Sequence, residues 1–254
     1  MSIVRAKKHL GQHFLKDQNI ACKITASLLP VTKGVLEIGP GMGVLTRHLL
    51  KDTKFSVLAI DIDQESIDYL HEELPAHKEQ IIYGDFLKSD IRNFYTEPFS
   101  IIGNLPYNIS SQIFFRILEN RDLIPQVVCM IQKEVAERLS APVGTKEYGQ
   151  ITVLLNYYFN IEKIIDVDRK AFYPTPNVDS AVIKMIRKDN LEDLTSFEHF
   201  DKLVKDSFQF KRKTIKNNLI NKYNLDIVSK VLEKYGYDLS MRSEKIPYYV
   251  FVEI

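Results

Sequence analysis

The sequence predicts an α/β fold, a doubly wound parallel sheet followed by a small all-helical C-terminal domain, on three observations. Short apolar runs alternate with amphipathic stretches through the first half. Glycines spaced G-x-G-x-G follow the first of those runs. From about residue 190 the pattern turns helical, with neither Pro nor Gly from 196 until Gly236. The runs are "GVLEIG" (34–39), "FSVLAID" (55–61), "QIIYGD" (80–85), "FSIIGN" (99–104) and "QVVCMI" (126–131). Each is short, continuous and apolar, as strands buried on both faces are. Helical patterns at 64–74 and 110–120 lie between them, the alternation of a parallel sheet. "KIIDVD" and "SAVIKMI" read as later strands. "ITVLLNYYFN" (151–160) fits helix or strand, and Tyr148, Tyr157, Tyr158 and Phe159 there read as core. The domains are expected at 1–189 and 190–254.

The chain has 254 residues, 45% hydrophobic and 26% charged, enough for a sizeable core. Its net charge of +1 gives no overall basic excess, so binding to nucleic acid has to come from local clusters. Cys22 and Cys129 match no metal spacing and are expected to be buried thiols of a reducing compartment; no metal site is expected. The start, "MSIVRAKKHL", has no signal-peptide core, and no apolar run is long enough to span a bilayer. The expectation is a cytoplasmic protein without membrane contact.

"LEIGPGMG" leads from the first strand into a helix. A dinucleotide fingerprint requires glycine or alanine at position 44, where Val44 stands; a P-loop requires Gly-Lys-Ser/Thr, which is absent. Gly39 and Gly41 let the backbone approach a ligand closely. Glu37, just before them, suits a cationic or amine-bearing ligand better than a pyrophosphate. Asp61 ends the second strand about twenty residues past the loop, where a carboxylate accepts both ribose hydroxyls. Asp85 ends the third, placed to accept from an adenine amino group while Phe86 packs on the base. Taken singly, these features are a tight turn and helix caps; Asp63 in particular can cap the next helix. Together they describe a ligand with ribose, adenine and a positive centre but no phosphate: S-adenosylmethionine.

The fourth strand ends in Asn104, Leu105, Pro106 and Tyr107. This quartet suits methylation of an exocyclic amine. The adenine N6 lone pair is delocalised into the ring and attacks poorly. Acceptors on both N–H groups localise and aim it: the Asn104 side-chain oxygen is one, and the Leu105 carbonyl, turned by Pro106, the other. Tyr107 offers a face for the base, which has to leave its stack to arrive. An ordinary turn with an Asn cap is the alternative.

These motifs carry a family resemblance. With "KKHLGQHFL", "AIDID", "GDFL", "GNLPYNIS", "QKEVAERL", "FYPTPNVDSAV" and "FQFKRKTIKNNL", the chain resembles the ribosomal RNA adenine N6-dimethyltransferases over nearly its whole length. It most resembles the bacterial small-subunit group. The resemblance implies a class I S-adenosylmethionine-dependent methyltransferase (Rossmann-like) domain and a helical C-terminal domain that binds rRNA. The substrate it implies is two adjacent adenosines in a hairpin near the 3′ end of small-subunit rRNA, within a pre-30S particle, modified by a monomer. It further implies that His13 and Leu15 wall the methionine end of the cofactor, and because Asn is common at position 13 the His13 backbone is expected to matter more than its imidazole. Gly39 and Gly41 form the cofactor loop, Asp61 takes the ribose, Asp85 the adenine amino group, Asn104 and Leu105 the target amine, and Tyr107 and Phe172 flank the target base.

Arg5, Lys7 and Lys8 make a basic N-terminal arm. Lys205, Arg212 and Lys216, with Lys213, form a basic stripe beside Phe208, Ile215 and Leu219 on an expected amphipathic helical segment. By charge alone this is a solvated face; beside a base-modifying pocket it is an RNA contact. Three rivals remain: a large-subunit methylase of the macrolide-resistance type, a ribosome-assembly factor without catalysis, and an NAD dehydrogenase, which Val44 disfavours.

Overall fold

The computed structural model describes residues 4–189, 191, 194 and 196–254. In chain order its elements begin with β1 (Phe14–Leu15), α1 (Gln18–Ala26), β2 (Gly34–Ile38), α2 (Thr46–Leu49), β3 (Ser56–Asp61) and α3 (Gln64–Glu73). β4 (Ile81–Tyr83), β5 (Phe99–Asn104), α4 (Ser110–Glu119), β6 (Gln126–Gln132), α5 (Lys133–Leu139) and α6 (Gln150–Tyr158) follow. β7 (Phe159–Val167), β8 (Phe172–Tyr173) and β9 (Ser180–Arg187) complete the strands. α7 (Phe197–Ser207), α8 (Ile215–Leu219), α9 (Leu225–Lys234) and α10 (Tyr248–Glu253) close the chain.

By packing, the chain forms two units. The first holds the residues through Ala136 and Glu162–Arg187; the second holds Glu137–Ile161 and Lys188–Ile254. The first contains a seven-stranded sheet in the order β4-β3-β2-β5-β6-β9-β7, with β7 entering from the second unit. Strands β4, β3, β2, β5 and β6 run parallel and β9 runs antiparallel to β6. All five residues of β2 are buried, as are the first five of β5, so these strands read as unbroken apolar runs. The chain builds outward from β2 to β3 and β4, then returns to place β5 on the other side of β2. That reversal opens a crevice at the carboxyl ends of β2 and β5, the usual ligand position in such sheets.

The five expected parallel strands are all present, the third as Ile81–Tyr83 alone, so Asp85 lies two residues beyond it. A two-residue antiparallel sheet, Phe14↔Tyr173 and Leu15↔Phe172, has no periodicity to reveal it in the sequence.

The second unit corrects the expected division. Residue 190 lies outside the described residues, but Glu137–Ile161 packs with the C-terminal helices rather than with the sheet. The ambiguous run at 151–160 is mostly α6, and Thr152, Val153, Leu154, Leu155, Tyr157 and Tyr158 on it are buried. A helix apolar nearly all round needs cover on several sides, and α7 and α10 supply it. The expected stripe around 205–219 is broken as well: α7 ends at Ser207 and α8 starts at Ile215. Buried Asn218 organises the turn between them, donating to the carbonyls of Ser207 and Phe210 and accepting from the Phe210 N–H. Lys205, Arg212, Lys213 and Lys216 are exposed on this stretch. Of the two cysteines, Cys129 is buried and Cys22, against expectation, is exposed on α1. Among the described residues no helix is long and apolar enough to cross a membrane.

Candidate active site

A cleft of about 210 Å³ opens at the carboxyl ends of β2, β3 and β5. Gly39 and Gly41, just past β2, both have left-handed backbone, with φ of 71° and 53°. A Cβ on Gly41 would stand 2.9 Å from the Phe14 ring, so a side chain there would fill the floor of the cleft. Gly103 serves close strand packing instead. Its Cβ would fall 2.4 Å from the Ile38 carbonyl oxygen, so glycine lets β5 run close against β2. That approach delivers Asn104 beside the glycine loop.

Asp61 lines the cleft at the end of β3. It is nearly buried, with Oδ2 accepting from the Gly41 N–H at 3.2 Å and Oδ1 from the Asp63 N–H at 2.9 Å. Burial pushes its carboxyl up to about 6, against the pull of those two N–H groups. Each oxygen keeps a lone pair for a further donor. Asp63 caps α3, as expected, and ties down the N-terminal arm, accepting from Gln12 Nε2 at 2.8 Å and from the Lys7 ammonium. Burial works to raise the Asp63 carboxyl, but hydrogen bonds from Gln12, Lys7 and Ser66 hold it below the usual range. Lys7 also pairs with Glu65 at 3.4 Å. Lys7 is therefore committed within the protein and is not the free RNA-facing cation its charge suggested; Arg5 and Lys8 remain exposed.

On the opposite side lies the strand-end quartet. Asn104 Nδ2 donates to the His13 carbonyl at 2.8 Å, which fixes the direction of the amide. Its Oδ1 is buried and has no partner. A buried acceptor without a donor costs roughly 1–3 kcal/mol, and this one is open to a donor brought into the cleft. Leu105 and Pro106 also line the cleft. The Tyr107 hydroxyl shares a 2.6 Å hydrogen bond with Ser180 Oγ, and its ring stacks on the His13 imidazole with centroids 5.3 Å apart. Burial raises the Tyr107 hydroxyl and the bond to Ser180 draws it back, so it stays a phenol. His13 Nδ1 donates to the Pro174 carbonyl at 2.8 Å. Both the ring and the backbone of His13 are thus engaged at the cleft, where the backbone was expected to matter more.

Four expected residues do not line the main cleft: Phe86 and Phe172, which are core, and Leu15 and Glu37, which line a recess beside it. Phe86 is 5% exposed and packs inward, leaving Leu87, beside Asp85, to face the opening. Phe172 is fully buried in the core with Leu15, Ile24 and Met130, because its strand partner Leu15 turns the same face inward. Leu15 lines a recess next to the main cleft, with Glu37 and Asn104. Asp85 reaches the cleft with Oδ1 accepting from the Leu87 N–H. Sequence reasoning missed Ile62, 44% exposed on the cleft wall directly after Asp61. It missed Ser180 too, whose role depends on a contact 73 residues away in sequence.

Glycine backbone, acids at the ends of β2 and β3 and just past β4, and an unpartnered amide at the end of β5 define a methyltransferase of the class I α/β type. The family model "Ribosomal RNA adenine dimethylase" matches residues 3–254. The chain belongs to that family. It is 46% identical over 246 residues to the ribosomal RNA small subunit methyltransferase A of Cytophaga hutchinsonii, covering 95% of each chain. To the protein of that name in Flavobacterium johnsoniae it is 48% identical over 235 residues, 90% of each. Among solved structures, a dimethyladenosine transferase from Plasmodium falciparum superposes with TM-score 0.79 at 30% identity, covering 95% of both chains. The 23S rRNA methyltransferase ErmE does so with TM-score 0.72 at 29% identity, covering 94% of this chain and 97% of that one.

Proposed function

We propose that the protein transfers methyl groups from S-adenosyl-L-methionine to N6 of two adjacent adenosines in a hairpin near the 3′ end of small-subunit rRNA. The product is N6,N6-dimethyladenosine. The observation that carries the reading is Asn104: one end of its amide is locked to the His13 carbonyl, and the other, buried and unpartnered, lines the cleft beside Tyr107.

The residues present fit the methyl donor. Gly39 and Gly41 would lend it backbone, Asp61 would accept from the ribose hydroxyls and Asp85 from the adenine amino group, with Ile62 and Leu87 against the base. When bound, the donor supplies an electrophilic methyl carbon on a sulfonium. The chain's own groups do the rest. Asn104 Oδ1 accepts from the target amine, and the Leu105 carbonyl is placed to take the second N–H. Holding both concentrates the lone pair on nitrogen. Tyr107, pinned by Ser180, gives the base a fixed face. No strong base is needed, because an amine becomes acidic as it is alkylated.

Small-subunit rRNA is favoured as substrate by the 46–48% identity to proteins named for it, against 29% to the large-subunit enzyme. Arg5, Lys8, Lys205, Arg212, Lys213 and Lys216 are proposed to meet rRNA phosphates. The protein would act as a cytoplasmic monomer on a pre-30S particle. The test is to incubate it with labelled donor and unmodified small or large subunits, then map the modified base. Label on adjacent adenosines near the small-subunit 3′ end is expected. Label on large subunits alone would replace this reading with the resistance-methylase one, and none on either would favour the assembly factor.

A further inference from the structure

Glu37 is the penultimate residue of β2 and is 1% exposed. Its Oε2 has no hydrogen-bond partner. It lines a small recess together with Phe14, Gly39, Gly41 and Asn104, which line the main cleft as well, so the recess adjoins the place of the methyl donor. The described residues of the recess include no cation. Thr46, on the helix packed behind β2, and Asp61, at the end of β3, are the polar groups that act on Glu37. Asp61 is a second acid and opposes a negative charge there. Burial, with that acid nearby, pushes the Glu37 carboxyl up to about 8, so unliganded protein at neutral pH holds it protonated.

A neutral glutamine would suit such a recess equally well. A carboxyl differs from it in being able to become charged, and that is useful only if a cation arrives. The proposed methyl donor carries two positive groups, an α-ammonium and a sulfonium. We propose that Glu37 is a proton-linked acceptor for the donor's positive charge: as the ligand binds, the Glu37 O–H bond breaks, the proton leaves to solvent, and the carboxylate pairs with the cation. The inference rests on the methyl-donor reading and adds a proton to its binding equilibrium. Binding therefore strengthens as pH rises toward 8 and gains nothing above it, where the free carboxyl is already ionised and an α-ammonium partner loses its own proton.

The experiment is calorimetry of the full chain at pH 7 with S-adenosylmethionine and with S-adenosylhomocysteine, in buffers of differing ionisation enthalpy. Wild type is expected to release most of a proton per ligand, with affinity rising up to about tenfold between pH 6.5 and 7.5. Asp61, pushed up to about 6, is mostly ionised at pH 7 and adds no more than about a tenth of a proton. In Glu37→Gln the release is expected to fall to about 0.1 and the pH dependence to flatten. Release with both ligands upholds the proposal with the ammonium as partner; release with S-adenosylmethionine alone upholds it with the sulfonium. Wild type that binds without releasing a proton overturns it, as does a Glu37→Gln protein that still releases one. Should that variant not fold, the wild-type proton count and pH slope decide. If neither ligand binds wild type, the methyl-donor reading itself falls, and this inference with it.

Discussion

The cleft of the sheet unit and the cationic stretch of the helical unit handle polar groups in opposite ways. In the cleft, Asp61, Asn104 and Tyr107 are largely or partly buried, and each is held by a bond that fixes its direction. On the stretch from 205 to 216, the cations Lys205, Arg212, Lys213 and Lys216 stand in water. A buried, oriented group meets its ligand with little reorganisation and has a large effect singly. An exposed cation acts by field and counterion release, weakly one at a time and in a salt-dependent way. On the proposed reading, chemistry and selection of the base belong to the first arrangement, and retention of a large polyanion to the second.

Four sets of variants test that contrast, from the largest effect to the smallest. Asn104→Ala removes the buried, unpartnered oxygen proposed to accept from the target amine. It is expected to keep the fold and to lose on the order of a hundred- to a thousandfold in turnover, measured by label incorporation into small subunits. Near wild-type turnover would mean that the cleft's polar groups matter no more than surface charges do. Asp85→Ala should weaken S-adenosylmethionine about ten- to a hundredfold by calorimetry, from the loss of a charge-assisted hydrogen bond worth roughly 1.5–3 kcal/mol, while RNA binding holds. Unchanged donor affinity would place Asp85 outside the adenine site.

Neutralising Arg212, Lys213 and Lys216 together probes the other region. Small-subunit affinity should fall by about threefold for each phosphate left without its cation, and the log–log salt slope should decrease by about one for each. Donor affinity by calorimetry serves as the control and should stay at the wild-type value. Normal binding across a salt series would leave this stretch a solvated face. The smallest effect is expected of Tyr107→Phe. It keeps the ring and gives up the bond to Ser180, about 0.5–1.5 kcal/mol, so turnover should fall roughly two- to tenfold. Ser180→Ala should cost the same, and the double variant no more than either alone; full additivity would show that the two hydroxyls act separately.

The parts legible in the sequence were those with a local cause. Parallel strands buried on both faces announce themselves as apolar runs, and a strand end followed by Gly or Asn marks a ligand edge. Asp61, Asp85, Asn104, Leu105, Pro106 and Tyr107 all line the cleft as expected. What the sequence concealed depends on contacts between distant residues. Phe86 is expected against a base because it adjoins Asp85, and Phe172 beside the target because the family resemblance implies it, yet each is core, and the aliphatic Ile62 and Leu87 line the wall instead. Lys7 looked like a free cation until Asp63, 56 residues on, took it. The helical spacing around 205–219 was real as a pattern, but a buried Asn218 turned it into two helices with a bend.

The short pairing of β1 with β8 bears on the order in which the chain is made. Phe14 meets Tyr173, His13 donates to Pro174, and Tyr107 waits for Ser180. β6 likewise lacks its antiparallel neighbour until β9 arrives. During synthesis the early strands emerge long before these partners. A nascent chain that stops short of residue 180 has its glycine loop but not the clasp that steadies Tyr107. The cleft is thus an end product of translation: it acquires its shape late, after most of the sheet unit has left the ribosome.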